Sequence, residues 1–579
     1  MQSQGILIAN RGEISIRIAR AAADMGIRSV AVYSSDDHTS LHTKIANEAL
    51  LIPGTGAKAY LDIEQIILAA QAANCDAIHP GYGFLSERAD FAVSCAAAGI
   101  TFIGPSEAHL KLFGDKGAAR RAAIDAGVPV LAGTDHAVTL EQLTEFFDTV
   151  NGSIMIKAVA GGGGRGTRIV HKREDLEEAF ERCQSEATAA FGLGDVYVEE
   201  FLLRARHIEV QILGDSMGNI IHFGERECSV QRRNQKVVEI APAPNLSASL
   251  RDKIISAAVS FAQQQHYISL GTFEFLVDDS GSNTGDSGDS PAVDQFVFIE
   301  ANARLQVEHT VTEEVTGFDL VRGQIQIALG SSLAELGLDN KAPLSISGFA
   351  IQARVNLETI NSDGTVMPGS GTLARYEPPN GPGVRTDGFG YVGYNTNTAF
   401  DSLLAKVIVH ERSAQFKDAA RKTIRALSEF RLEGVRNNIS FVKNIISHRD
   451  FIEGAIHTRW VEEQIDQLTT DWQGPDLFVA SAPTVEANDG FAGVRVNTND
   501  PLALFTHQNA SAQAIANEPR NIDTPDGLHA VCSPIQGTIV AIEAGVGKQV
   551  RAGDAVVIVE AMKMEYVIVA EYNAVVRQV

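Results

Sequence analysis

Short apolar runs alternate with longer amphipathic stretches over the first hundred residues. GILIAN (5–10) reads as a buried strand, and RGEISIRIARAAADMG (11–26) continues as an amphipathic helix. RSVAVYS (28–34) and CDAIHP (75–80) read as further strands, and 87–98 is again helical. Such alternation predicts a parallel, doubly wound sheet. The loops Asn10-Arg11-Gly12 and His79-Pro80-Gly81-Tyr82-Gly83 would then lie at strand ends, where ligands approach such sheets.

A second unit spans 116–194 and contains the segment AVAGGGGRGTRIV. Residues 196–329 are β-rich, interrupted by DDSGSNTGDSGDSPAVD (278–294), which has no apolar period and reads as an exposed, mobile hairpin tip. From 344 to 463 the pattern turns strand-rich and then helical, as expected of a third subdomain packed on the second. Residues 466–528 show few periodic runs and read as a linker. The last stretch switches to short alternating strands around Gly537, Gly545, Gly547 and Gly553, a small β-barrel or sandwich signature. The expected division is 1–115, 116–330, 331–463, a linker over 464–527, and 528–579.

A chain of 579 residues is too long for one core, and about three to five packed units are expected. Its 48 basic against 72 acidic residues give a formal charge of −24, which argues against nucleic-acid binding. A local cluster at Arg226, Arg232, Arg233 and Lys236 can still attract an anionic substrate. The five cysteines are scattered and form no CxxC pair, which points to a reducing, cytoplasmic compartment. No apolar run reaches membrane-spanning length, and a strand beginning at Gly5 leaves no room for a signal peptide.

Chemistry concentrates in the middle of the chain. Lys157 ends the run IMIKAV and precedes Gly161 to Gly164, Arg165 and Gly166. Consecutive glycines let backbone N–H groups close over phosphates. The spacing is neither a GxxxxGK[ST] loop nor a dinucleotide fingerprint, and taken alone it also suits a flexible surface loop. Glu274 falls on one strand, and Glu300 and Asn302 at the end of another. If those strands are neighbours, the carboxylates and the amide converge into an oxygen cage for Mg²⁺ bridging ATP phosphates. Glu300, Asn302, Arg304, Gln306 and Glu308 follow a period of two, which strand geometry would put on one face. RECSVQRRNQKVVE adds Gln231 and Lys236, and its Cys228 reads as a packing residue rather than a nucleophile.

Together MIKAVAGGGGRG, RHIEVQILGD, ERECSVQRRNQKVVEIAPAP, GTFEFL, IEANARLQVEHTVTE, RGEISIRI and HPGYGFLSE resemble biotin carboxylase, of the ATP-grasp fold, over about residues 1–463. The resemblance implies an α/β architecture: a doubly wound N-terminal domain, an ATP-grasp central domain and a C-terminal α+β subdomain. It implies Lys116 and Lys157 as ATP-phosphate lysines, with Gly162, Gly163, Gly164 and Gly166 in the closing lid. Glu199 and Leu202 would contact adenine, His207 and Gln231 the ribose, and Glu274, Glu300 and Asn302 the Mg²⁺ (or Mn²⁺) ions. Lys236, Arg304, Gln306 and the Val307 backbone would hold bicarbonate. Glu308 would be its general base, and Arg354 would stabilise the biotin enolate. Asn234 stands where the family usually has histidine, and Val159, Ala160 and Thr167 replace the commoner Ser, Gly and Met around the lid. The acidic insertion is longer than usual.

SPIQGTIVAIEAGVGKQVRAGDAVVIVEAMKMEYVIVAE resembles the biotinyl carrier domain, with Lys563 of EAMKM as the biotinylated lysine at a turn. NAVVRQV appears as a repeat of QGTIVAI, so roughly seventeen residues of a second half would be missing, implying a partial domain and a fragment of a longer polypeptide. The expected reaction is ATP- and bicarbonate-dependent carboxylation of biotin via carboxyphosphate, with an acyl-CoA as final acceptor. This last expectation follows the looser match of GVRVNTNDPLALFTH to single-chain acyl-CoA carboxylases. Pyruvate or urea are the alternative acceptors, and a non-biotin ATP-grasp ligase the alternative enzyme. A scaffold with a degenerate site is disfavoured by the intact polar set. Implied partners are a carboxyltransferase domain or subunit, a biotin protein ligase and a second copy of the chain.

Overall fold

Ile6, Leu7 and Ile8 are fully buried, and the strand they form is the middle of a five-stranded parallel sheet. From edge to edge its strands are Glu48–Leu51, Ser29–Tyr33, Ile6–Ile8, Ala77–His79 and Thr101–Phe102. Burial on both faces explains why the three central runs, Ser29–Tyr33, Ile6–Ile8 and Ala77–His79, are apolar without alternation. The structure, a computed structural model, describes residues 5–134, 136–150, 153–159, 167–191, 194–278, 296–338, 345–478, 528–533, 537–561 and 564–578.

The helix Gly12–Asp24 departs from its amphipathic expectation: Glu13, Ser15 and Arg17 are buried along with its isoleucines. Their burial is tolerated because charged partners lie on other segments. Arg17 bonds Glu313 and Asp319, and Glu13 pairs with Lys406. The Asn10 side chain donates to the carbonyls of Pro80 and Tyr82, which ties the two predicted ligand-facing loops together. Gly81 needs its glycine there: its φ is +65°, and a Cβ would lie 2.9 Å from Asn10 Nδ2.

The second sheet has eight strands, all antiparallel: Phe296–Asn302, Ser269–Asp278, Ala205–Gly214, Ile220–Arg232, Gln235–Ala241, Phe349–Asn356, Leu403–Glu411 and Val384–Gly388. The strand-rich region after 344 gives three strands to this sheet and also forms two small pairs, Glu358–Ile360 with Val366–Pro368 and Arg375–Glu377 with Arg431–Glu433. Phe349–Asn356 pairs with Gln235–Ala241 and extends the central one. The helix Ala248–Gln264, capped by the Ser247 side chain, packs Phe261 against Phe273 at a ring separation of 5.4 Å. Burying each such phenylalanine contributes roughly 2 kcal/mol.

A small three-stranded sheet, Thr167–Val170, Ile154–Ala158 and Val196–Glu200, has its own core with Leu143, Phe180 and Cys183. The chain divides into two compact units, Met1–Leu477 and Phe478–Val579. The helix Ile465–Leu468, within the segment read as linker, belongs to the first.

The second unit contains a sheet of Thr538–Ile542, Ala555–Ala561 and Met564–Val569, and a pair Gln549–Val550 with Ala574–Val575. Ala544, Val550, Val556 and Ala570 form its small core. Ala561 pairs with Met564, and Lys563 between them lies outside the described residues, as do the lid glycines Gly162, Gly163, Gly164 and Gly166 and most of the acidic insertion. Among the described residues, no helix is long and apolar enough to cross a membrane.

Candidate active site

Glu274 and Glu300 face each other as register partners on adjacent antiparallel strands, which meets the condition for convergence. The period-two reading of the next segment needs correcting. The strand ends at Asn302, the chain turns, and Glu308 is the residue preceding the helix His309–Thr316. The five polar residues converge through side-chain bonds instead. Asn302 Nδ2 donates to Glu274 Oε1 at 2.6 Å, and Gln306 Nε2 donates to the same oxygen at 2.9 Å. Arg304 donates to Asn302 Oδ1 at 2.8 Å and to Gln306 Oε1 at 2.9 Å. A turn can gather what a straight strand would have spread over several residue spacings.

Lys236 sits at the centre. Its ammonium lies 2.7 Å from Glu209, 3.3 Å from Glu274 and 2.5 Å from Glu308. Burial opposes its charge, but the surrounding anionic groups, the three carboxylates among them, hold its pKa well above the usual lysine value. Burial would raise Glu308 and Glu274, but Lys236 acting with Arg354 and Arg226 at Glu308, and with His207 at Glu274, holds both below the ordinary carboxylate range. Glu308 is thus ionised and 1% exposed. Its other oxygen lies 3.2 Å from Arg354, which also bonds Glu239. Glu308 makes no capping bond to its own helix, so its carboxylate is left to these two cations.

His207 Nδ1 accepts from Gln231 Nε2 at 2.7 Å, which leaves Nε2 as the protonated nitrogen, 2.6 Å from Glu274. The carboxylates of Glu274 and Glu300 offer hard oxygens that would suit Mg²⁺ or Mn²⁺, while the Asn302 amide turns its nitrogen to both of them and its oxygen to Arg304. Lys157 pairs with Glu199 on the small sheet. Half-buried Leu202 follows that strand, and Lys116 opens the helix Lys116–Asp125 with an exposed side chain. Lys116, Lys157, Glu199 and Leu202 make no direct contact with the Lys236 cluster among the described bonds.

The basic cluster predicted from sequence is not a surface patch. Arg226 is fully buried and bonds Glu209, Gln211, Thr272 and Thr312. Arg233 and Asn234 form an exposed hairpin tip with φ of +47° and +63°, a conformation asparagine tolerates well. Cys228 is buried, and burial pushes its thiol well above the usual value, so it is no thiolate nucleophile.

Sequence reasoning missed Glu209, Glu239, Glu87 and Lys406. Glu209 had a legible signal: His207, Glu209 and Gln211 alternate in RHIEVQ, a polar row on an otherwise apolar strand. Glu87, 3.2 Å from Arg304, comes from the distant HPGYGFLSE loop and had none.

Four family models match in order: the biotin carboxylase N-terminal domain over residues 2–110, the carbamoyl-phosphate synthase L chain ATP-binding domain over 115–336, the biotin carboxylase C-terminal domain over 352–463, and the biotin-requiring enzyme domain over 529–579. Human mitochondrial pyruvate carboxylase is 48% identical over 463 residues, 79% of this chain and 38% of that protein. The chain thus spans well under half the length of the curated pyruvate carboxylases it matches.

The biotin carboxylase domain dimer of Hydrogenobacter thermophilus 2-oxoglutarate carboxylase, solved with MgADP, ADP and bicarbonate, is 38% identical with a TM-score of 0.74, covering 81% of this chain and 99% of that one. A single-chain, multi-domain long-chain acyl-CoA carboxylase is 38% identical with a TM-score of 0.69, covering 98% of this chain and 48% of that one. Fold, matched models and the near-complete coverage of a solved biotin carboxylase domain lead to one conclusion: this chain belongs to the biotin carboxylase family and continues into a biotin-carrier domain.

Proposed function

We propose that the chain uses ATP and bicarbonate to carboxylate biotin carried on Lys563, the first half-reaction of a biotin-dependent carboxylase. The observation that carries this reading is the buried, ionised Glu308 between Lys236 and Arg354. Bicarbonate is a poor nucleophile until it loses its proton, so a carboxylate base beside fixed cations is the arrangement the chemistry needs. Arg304 and Gln306 orient the anion, Lys236 stabilises its second negative charge, and Glu308 takes the proton. Attack on the γ-phosphorus forms a P–O bond and expels ADP, giving carboxyphosphate. Breakdown of carboxyphosphate releases CO₂ and a phosphate trianion, which takes the proton from the biotin nitrogen. Arg354, held by Glu239, then stabilises charge on the ureido oxygen as the biotin nitrogen loses its proton to attack CO₂.

Glu274, Glu300 and Asn302 would hold Mg²⁺, which neutralises phosphate charge. Lys116, Lys157 and the lid glycines are assigned to the phosphates, Glu199 and Leu202 to adenine, and His207 and Gln231 to ribose.

The pyruvate carboxylase relatives favour a 2-oxo acid such as pyruvate over the expected acyl-CoA as the final acceptor. The acyl-CoA reading keeps one specific support, the solved long-chain acyl-CoA carboxylase that covers 98% of this chain. The dimeric relative supports self-association. Either acceptor requires a carboxyltransferase, and Lys563 requires a biotin protein ligase.

The test is ADP release from the full chain with ATP and Mg²⁺, with and without bicarbonate and free biotin. Turnover that requires bicarbonate and rises with biotin is the expected result. Nucleotide turnover indifferent to both would overturn the reading.

A further inference from the structure

Lys406 is a fully buried lysine that no phosphate, metal or bicarbonate role accounts for. It lies on Leu403–Glu411, directly opposite Arg354 on one neighbouring strand and Asp387 on the other. Residues opposite each other in a sheet project to the same face, so Arg354, Lys406 and Asp387 form one charged row. The Lys406 ammonium donates to the Val307 carbonyl at 3.0 Å and lies 3.0 Å from Glu13 Oε1. Glu13 Oε1 also accepts from the Tyr82 hydroxyl. One cation therefore joins the C-terminal subdomain, the first helix, the Gly81–Gly83 loop and the segment that leads into Glu308.

The bond to Val307 matters most. The peptide linking Val307 to Glu308 is planar, so fixing the direction of its C=O fixes the Glu308 N–H on the opposite side. Glu308 begins its helix from that plane and sends its carboxylate to Lys236 and Arg354 rather than to a cap. Glu13 Oε2 is buried without a hydrogen-bond partner, so the pair is not arranged for maximal stability. Its geometry suits holding two loops in place.

We propose that Lys406 is a positioning residue for carboxylation: through the Val307 carbonyl it fixes the peptide from which Glu308 enters the site, and through Glu13 it sets the Tyr82 loop against the same point. The inference rests on Glu308 being the base that deprotonates bicarbonate.

The experiment measures biotin-dependent ADP release and thermal melting for the full chain, Lys406→Met, Lys406→Gln, and the double variant Glu13→Gln/Lys406→Met. The double variant removes both buried charges, so neither is left unpaired if the single variant fails to fold. In the folded Met variants, kcat/KM for bicarbonate should fall about a hundredfold with a raised KM, while KM for ATP stays put. Lys406→Gln, which keeps a donor for Val307, should recover part of the loss. A merely structural lysine would lower the active fraction, and so kcat, without moving KM for bicarbonate. A folded Met variant with the wild-type bicarbonate KM overturns the proposal. Wild-type protein without bicarbonate-dependent turnover overturns the parent reading first, independently of Lys406.

Discussion

Glu308 Oε1 lies 2.5 Å from the Lys236 ammonium, and both side chains are withdrawn from solvent. A base so close to a cation is ionised at neutral pH and waits for a substrate proton. Glu308→Gln keeps the shape and a hydrogen bond but removes the base. Its kcat for bicarbonate-dependent ADP release should fall about a thousandfold, while nucleotide binding, followed by calorimetry, stays within a few-fold of wild type.

Arg354 separates the two stages of the reaction. It touches Glu308 and Glu239 but among the described residues makes no bond to Glu274, Glu300 or Asn302, which would hold the metal, so Arg354→Ala should spare ATP binding. Stimulation of turnover by free biotin should drop about a hundredfold. Glu239→Gln, which loosens the guanidinium without removing it, should show the same defect in weaker form. Equal losses in nucleotide binding and biotin stimulation would contradict this division.

Divalent metal should be required through Glu274. Glu274→Gln removes a charge that Lys236 now compensates. A titration of turnover against Mg²⁺ should shift to about tenfold or more higher concentrations. An unchanged titration would place the metal elsewhere.

Acid sensitivity should come partly from two buried histidines. Burial pushes His79 down to about 3 and His42 down to about 4, from an ordinary 6.5. Below pH 6.5 the unfolded chain binds both protons and the folded chain does not, so stability falls as pH drops toward 4. Each histidine contributes about 1.4 kcal/mol per pH unit over that window. Urea unfolding at neutral pH and near pH 5 should show the fall, and His42→Gln should remove about half of the share carried by these two. An identical pH slope in the variant would assign the effect to other groups.

The strands, the first helix and the acidic pair were legible because each depends on local pattern: apolar runs, helical spacing, and carboxylates on neighbouring strands. The continuous eight-stranded sheet was not, because the pairing of Val238 with Ala353 joins segments more than a hundred residues apart. The same limit hid Glu87 beside Arg304 and Lys406 beside Val307, whose meeting is decided by tertiary packing. The turn after Asn302 shows the converse. Period-two spacing picked residues that do converge, but polar side chains reaching for one another, not a strand face, bring them together.

The most direct test is transfer of isotopically labelled bicarbonate to the biotinylated full chain in the presence of ATP and Mg²⁺. The account predicts ATP-dependent, acid-labile label on the protein, abolished by Lys563→Arg and reduced by Glu308→Gln to near background. No ATP-dependent label on fully biotinylated wild-type protein, or label that persists in Lys563→Arg, would contradict it.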